Sequence, residues 1–233
     1  MLDRRIEGEM LRVSPEAPSP IIRQTSVQEQ PGGAANVAVN LASLGCATWL
    51  LGAAAQDNAH RRLRELLGEY SVAFCGVAPP HSDYRTPIKT RITAGGQQVM
   101  RVDSEQAVPL PAGSVLVDAI SDTVDMLGHL GLIVVSDYAK GTIDEYAARL
   151  LVRIAQHRQI PLFVDTKPQH AAWFAGATLI KPNFNEALAM CANDPHPGLH
   201  PTQDEETRAE TLVTVLQRML QVTAVVVTRG PAG

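Results

Sequence analysis

The chain has 233 residues, 45% of them hydrophobic, and a formal net charge of −4. That is enough for one large α/β domain or two small ones around a sizeable core. The acidic balance argues against a broad nucleic-acid footprint but leaves room for a local basic pocket that takes a small anion.

The opening MLDRRIEGEM is charged, unlike a secretory signal, and no apolar run nears the roughly 20 residues of a membrane span. The sequence therefore reads as a cytoplasmic protein with neither membrane nor nucleic-acid partners. Cys46, Cys75 and Cys191 form no C-x-x-C pair and read as buried, reduced thiols. Residues 1–31 are polar and proline-rich, predicting short extended pieces around Leu11–Val13 and Ile21–Gln24. Val37, Leu41 and Leu44 recur at helical spacing, so a helix is predicted over Ala34–Leu44 with Gly45 as its stop. Thr48–Ala53 reads as a strand, Asp57 as the cap of a helix to about Leu67, and Val72–Val77 as a further strand. Thr86–Thr93 and Gln97–Asp103 flank Ala94-Gly95-Gly96, the pattern of a hairpin. With the early extended pieces this hairpin is expected to form a separate small sheet, a lid over a site.

Beyond Pro111 helices and strands alternate. Helices are predicted over Ser114–Leu127, Ile143–His157, His170–Phe174, Asn185–Cys191 and Asp204–Leu220. Strands are predicted over Leu132–Ser136, Leu162–Asp165, Thr178–Ile180 and Ala224–Thr228. Strand runs rich in Val, Ile and Leu, interleaved with helices, indicate a mainly parallel sheet covered on both faces. Ligands of such sheets sit beyond the carboxyl ends of the strands, which singles out Ser136-Asp137, Asp165, Lys181-Pro182-Asn183 and Thr228-Arg229-Gly230. No G-x-G-x-x-G follows a strand, so a dinucleotide-binding Rossmann domain is a poor fit. His196 and His200 stand four apart, but Pro197 and Gly198 break any helix that would align them, and the segment reads as a solvated loop.

Three constellations carry candidate chemistry. Gly32-Gly33 precede a helix start, with Asn36 in its first turn. This is either a close backbone approach to a ligand, with the Asn36 amide on hydroxyl groups, or simply a tight turn. Asn183 and Glu186 open a helix and are three apart. They can hold a water-bound Mg²⁺ beside nucleotide phosphates, or form a capping box. Val227-Thr228-Arg229-Gly230 suits nucleotide binding and equally an ordinary strand exit.

Together these strings resemble the PfkB/ribokinase family of carbohydrate kinases. PGGAANVAVNLASLG (31–45) is similar to the family's first sugar-kinase signature, and SDYAKG (136–141), VDTKP (164–168) and KPNFNE (181–186) follow in the family's order. RVSPEAPSPI (12–21), KTRI (89–92) and QQVMRVDSE (97–105) look more specifically like the heptose 7-phosphate kinase half of bifunctional ADP-heptose enzymes. The resemblance implies a ribokinase-like α/β fold: one kinase domain over 1–233, with lid pieces at about 10–25 and 86–104. It implies ATP-dependent phosphorylation of heptose 7-phosphate at O1, on the route to the lipopolysaccharide core, with ATP and Mg²⁺ as cofactors. Other sugars or nucleosides as substrates, or a sugar-phosphate binder without catalysis, are the alternatives.

Carried over by motif, Asp3, Gly32, Gly33 and Asn36 line the sugar pocket, and Asp137 and Lys140 shape it. Lys89, Arg91 and Arg101 are candidates for the 7-phosphate, since guanidinium forks match phosphate; the alternative is a solvated strand face. Asn183, Glu186, Thr228 and Gly230 fall at the nucleotide, with Glu186 reaching Mg²⁺ through water. Lid-mediated dimers are common in the family, so a homodimer through the lid is implied.

Family members begin with a strand leading into a Gly-Asp-x-x-x-Asp segment, of which Met1-Leu2-Asp3 resembles the tail. They also carry a Gly-Ala-Gly-Asp segment whose Asp takes the proton of the attacking hydroxyl, and no Gly-Asp occurs in these 233 residues. Without a base, phosphoryl transfer slows by about 10²- to 10⁴-fold, and without the donors at the developing charge by roughly 10²- to 10³-fold more. The expectation is a truncated chain that is catalytically incompetent alone and prone to oligomerise or precipitate.

Overall fold

The computed structural model describes residues 1–78, 83–106, 115–192, 194 and 204–232. The chain divides into two compact units, Met1–Val108 and Pro109–Gly233.

In the first unit β1 (Leu2–Val13) and β2 (Pro20–Pro31) form a long antiparallel hairpin, followed by α1 (Ala34–Ser43), β3 (Trp49–Ala53), α2 (Asn58–Glu69) and β4 (Ala73–Val77). The second hairpin, β5 (Ile88–Ala94) and β6 (Gln97–Ser104), turns on Gly95 and Gly96, whose φ angles of 59° and 79° suit a tight two-residue turn. The four-stranded sheet runs β2-β1-β5-β6, with β1 and β5 parallel and both outer pairs antiparallel. The expected small sheet thus exists, but its first two strands are 12 residues each, not short pieces. Their apolar residues are too few to announce strands: DRRIEGE and RQTSVQEQ are polar on both faces. A bulge sits between Glu7 and Gly8. A Cβ on Gly8 would lie 2.4 Å from Ile22 Cγ2 and 2.7 Å from the Arg23 carbonyl, so only glycine lets the strands close there.

One core of this unit gathers Ala35, Ala38, Leu63, Leu67 and Val72, under the β3-β4 parallel pair's Leu50 and Phe74. A second joins Leu2, Ala59 and Leu66 with Ile88, and so packs α2 against the β1 end of the sheet. The Asp57 side chain accepts the His60 N–H at 2.8 Å, the predicted cap, and also the Thr86 N–H at 2.8 Å. The same carboxylate therefore starts α2 and fixes the entry to β5.

The second unit holds α3 (Val115–Leu127), β7 (Ile133–Ser136), α4 (Glu145–Arg158), β8 (Leu162–Asp165), β9 (Leu179–Ile180), α5 (Phe184–Met190), α6 (Glu205–Leu220) and β10 (Ala224–Val225). Its sheet, ordered β10-β9-β8-β7, is parallel throughout, as predicted. Leu162, Val164, Ile180, Phe174, Leu212 and Leu216 are fully buried and form much of its core. Asp144 and Asp204 cap α4 and α6 by accepting the N–H groups of Ala147 and Thr207. The helix expected over His170–Phe174 is a 3-10 helix from Pro168.

The strand predicted to reach Thr228 stops at Val225. Its hydrogen bonds continue in the same register: Val226 N–H to the Ile180 carbonyl, Thr228 N–H to the Pro182 carbonyl, and Phe184 N–H to the Thr228 carbonyl, each at 3.0 Å. Pro182 has no N–H to return to Val226, so one rung is missing before the pairing resumes at Asn183 and Thr228. Of the three cysteines expected to be buried only Cys191 is; Cys46, just past α1, and Cys75, on β4, are exposed. His196 and His200 lie outside the described residues, as does the start of the helix predicted from Ser114.

Candidate functional site

Each unit assembles its own part of the sequence-selected residues. In the first, Gly32 is buried and donates its N–H to the Met1 carbonyl at 3.0 Å. A Cβ there would lie 3.1 Å from Asp3 Cβ, so the glycine lets the start of α1 sit against β1. Gly33, at φ 57° and ψ −130°, is the N-cap of α1 and has no capping side chain. Asn36 is exposed in the first turn. Asp3, Gly32 and Gly33 are thereby neighbours, although 29 positions separate the carboxylate from the first glycine in sequence.

Asp3 pairs in register with Lys89, and Lys89 with Asp103; Arg5 pairs with Arg91, and Arg91 with Arg101. The Arg91 guanidinium donates to the Asp3 carboxylate, and Arg101 Nε lies 3.1 Å from Asp103, so these side chains share one face of the sheet. Three arginines therefore stand abreast across β1, β5 and β6. Like charges directly opposite are unfavourable in a sheet. Asp3, Glu7 and Asp103 offset them only in part, since Arg5, Lys89, Arg91 and Arg101 outnumber them on this face. Such a row suits a doubly charged oxyanion. Arg5 was not singled out from sequence; its two-residue offset from Asp3, on a stretch where no strand was predicted, was the signal that went unread.

In the second unit the strand ends converge. Asp137, only 6% exposed, turns its carboxylate inward. Oδ1 accepts the Ala139 N–H at 2.9 Å, and Oδ2 accepts from Thr166 Oγ1 and His170 Nδ1, each at 2.7 Å. His170 stacks on Trp173 with ring centroids 3.7 Å apart. Asp137 thus organises the turn that leads to Lys140, where Ala139 and Gly141 adopt φ angles of 54° and 87°. Thr166 and His170 were missed by sequence reading: Thr166 lies one residue past a strand end, but only the fold brings His170 to Asp137.

Asn183 and Glu186 form the capping box. The Asn183 side chain accepts the Glu186 N–H at 2.9 Å and Glu186 Oε2 accepts the Asn183 N–H at 3.0 Å. The other oxygen, Oε1, takes Lys167 Nζ at 2.6 Å, and Lys181 Nζ pairs with Asp165 at 3.0 Å. Burial pushes the Glu186 carboxyl up, but Lys167, the Asn183 N–H and the charge of Lys181 outweigh it and hold the group below its ordinary value. The bond to Glu186 raises the Lys167 ammonium's pKa against burial, helped by Asp165 and Tyr138. Thr228 bridges Asn183 across the strand ends, and Gly230, at φ 61°, opens a 3-10 turn. Among the described residues no group of three or more His, Cys, Asp or Glu is placed to hold a metal by itself. The donor set at Asn183 and Glu186 fits Mg²⁺ reached through water and phosphate, and not a protein-caged ion.

A family model described as pfkB family carbohydrate kinase matches residues 7–233. The bifunctional protein HldE of Koribacter versatilis (strain Ellin345) is 38% identical over 192 residues, 82% of this chain and 39% of that protein. That of Sodalis glossinidius (strain morsitans) is 35% identical over 233 residues, 100% of this chain and 45% of its own length. The chain spans less than half the length of these curated relatives. Among solved structures, Escherichia coli phosphofructokinase-2 in complex with potassium aligns with TM-score 0.71 at 20% identity, over 100% of this chain and 70% of that one. A carbohydrate kinase from Agrobacterium tumefaciens aligns with TM-score 0.68 at 21% identity, over 98% of this chain and 67% of that one. These likenesses establish the ribokinase-like α/β fold expected from the alternation of strands and helices. With the family model running through both units, the chain belongs to the pfkB family of carbohydrate kinases.

Proposed function

We propose that this chain carries the sugar-phosphate and donor-binding parts of an ATP-dependent kinase that phosphorylates heptose 7-phosphate at O1, with Mg²⁺. The observation that carries this reading is the row of Arg5, Arg91 and Arg101 beside Lys89, on the same sheet face as Asp3. A sugar that already bears a phosphate needs such a row; a neutral sugar does not. In this reading Lys89, Arg91, Arg101 and the adjoining Arg5 hold the 7-phosphate. Asp3, Gly32, Gly33 and Asn36 meet the sugar hydroxyls, and Asn183, Glu186, Thr228 and Gly230 serve the nucleotide. Asp137 acts through the turn carrying Lys140, since its own carboxylate is engaged inside the unit. ADP-heptose synthesis for the lipopolysaccharide core is the corresponding role, and the similarity to bifunctional HldE proteins supports it.

The two units are read as parts of one kinase domain, which the family model spanning both supports. The β2-β1-β5-β6 sheet is read as its lid and as a homodimer surface. The exposed Met10, Leu11, Val13, Val27, Met100 and Val102 support that role. No helix among the described residues is long and apolar enough to cross a membrane; a cytoplasmic location is part of the proposal. Transfer joins the heptose O1 to the γ-phosphorus and breaks its bond to the β-phosphate oxygen, the hydroxyl proton passing to a base. These 233 residues contain no Gly-Asp to supply that base, so the polypeptide is expected to bind without turning over.

Calorimetric titration with heptose 7-phosphate, beside fructose 6-phosphate, tests the substrate. Heat with the heptose alone is expected, and silence with it refutes the assignment. A coupled ADP-release assay tests the inactivity, which turnover near about 1 s⁻¹ would end.

A further inference from the structure

At the carboxyl ends of β8 and β9 four charges alternate: Asp165 with Lys181, and Lys167 with Glu186. Glu186 has one oxygen on the Asn183 N–H and the other 2.6 Å from the Lys167 ammonium. An ion approaching this carboxylate meets a cation already seated. The two partners differ in freedom. The Glu186 side chain is 15% exposed and locked by the capping box, whereas that of Lys167 is 39% exposed, its ammonium at the end of a four-carbon stem and 5.9 Å from the Tyr138 ring centroid. Lysine is a compact point charge that moves readily between anions. Mg²⁺ gives up its water reluctantly and competes poorly with a tethered ammonium. A polyphosphate, with several charges, competes well for the same ammonium.

We propose that Lys167 is a tethered cation occupying the divalent-metal seat of Glu186, which keeps free metal out and passes its ammonium to the donor's phosphates when a metal–nucleotide complex enters. The proposal rests on reading Asn183 and Glu186 as the donor end of the site. It assigns a phosphate-binding role to a lysine that the motif comparison left without one. It also makes metal affinity depend on nucleotide: Glu186 becomes available only as Lys167 leaves it.

Binding of Mn²⁺ to the 233-residue chain, followed by loss of the free-ion paramagnetic resonance signal, tests this without turnover. Lys167→Met is expected to bind Mn²⁺ about tenfold tighter than the wild type. Lys167→Arg should match the wild type, and Lys167→Met/Glu186→Gln should lose the gain. Lys167→Gln, run alongside and checked by circular dichroism, guards against a folding defect in the methionine variant. Equal affinity in Lys167→Met and wild type, or a gain that survives Glu186→Gln, overturns the proposal. In the same preparations MgATP is titrated by calorimetry, and Lys167→Met is expected to bind it about tenfold more weakly. A wild type that binds no MgATP sinks the nucleotide reading itself. MgATP binding that Lys167→Met leaves unchanged sinks only the role given to Lys167.

Discussion

On the sheet face of residues 1–108 the charged side chains stand rank behind rank, Arg5 beside Glu7, Arg91 beside Asp3 and Arg101 beside Asp103, with Lys89 in excess, whereas in residues 109–233 they sit at strand ends in two pairs with no excess. The face leaves positive charge over: Arg5, Lys89, Arg91 and Arg101 against Asp3, Glu7 and Asp103. The strand ends leave none between Asp165, Lys181, Lys167 and Glu186. An unbalanced row is poised for an anion from outside, and a balanced quartet for exchange of partners. The first arrangement should be felt mainly in binding and the second in stability as well.

The largest expected effect breaks the second unit. Asp137→Ala removes the acceptor for Thr166, His170 and the Ala139 N–H at a site nearly closed to water. It should cost about 3 kcal/mol in urea unfolding; a loss below about 1 kcal/mol would show that the turn holds itself. Next comes the unbalanced row: Arg91→Met should weaken sugar-phosphate binding about tenfold while leaving unfolding nearly unchanged, and raising salt should erase much of the difference. If Arg91→Met unfolds the sheet instead, the row serves stability rather than binding.

Acid sharpens the comparison further. Glu186 has a folded-state pKa below its unfolded one, so its contribution is present above the ordinary carboxylate range and is lost as pH falls through the folded value. Asp57 behaves likewise: burial raises it, but the N–H groups of His60 and Thr86 lower it more. Glu186→Gln should flatten the acid limb of stability below about pH 4, and an unchanged limb would remove Glu186 from the balance. The smallest effect is Lys181→Ala. Its pair with Asp165 is nearly half exposed, so about 0.5 kcal/mol or less is expected from thermal melts.

How much of this was legible follows from what each residue's neighbours demand. The strand Leu162–Asp165 and the Gly95-Gly96 hairpin announce themselves, because buried aliphatic runs and glycine turns are local signals. The capping box at Asn183 was one of two local alternatives, and the structure realises it with Lys167 on the remaining carboxylate oxygen. The long strands β1 and β2 were read short because polar strands lack the alternation that marks a half-buried sheet. The row of arginines depends on register across three strands, and Asp137 with His170 on a 33-residue separation. Neither is written in any local pattern.

Pro182 has a consequence that reaches Glu186. Its nitrogen has no hydrogen, so the one rung that would reach the Val226 carbonyl is missing, yet its carbonyl takes the Thr228 amide and the Phe184 amide takes the Thr228 carbonyl. The two chains thus keep their register through Asn183, where α5 begins. One residue is pinned to a sheet by its neighbours' backbone while its own side chain starts a coil. Residues 183 and 186, which an extended chain would turn to opposite sides, come to lie on the same side because the coil starts at that pinned point.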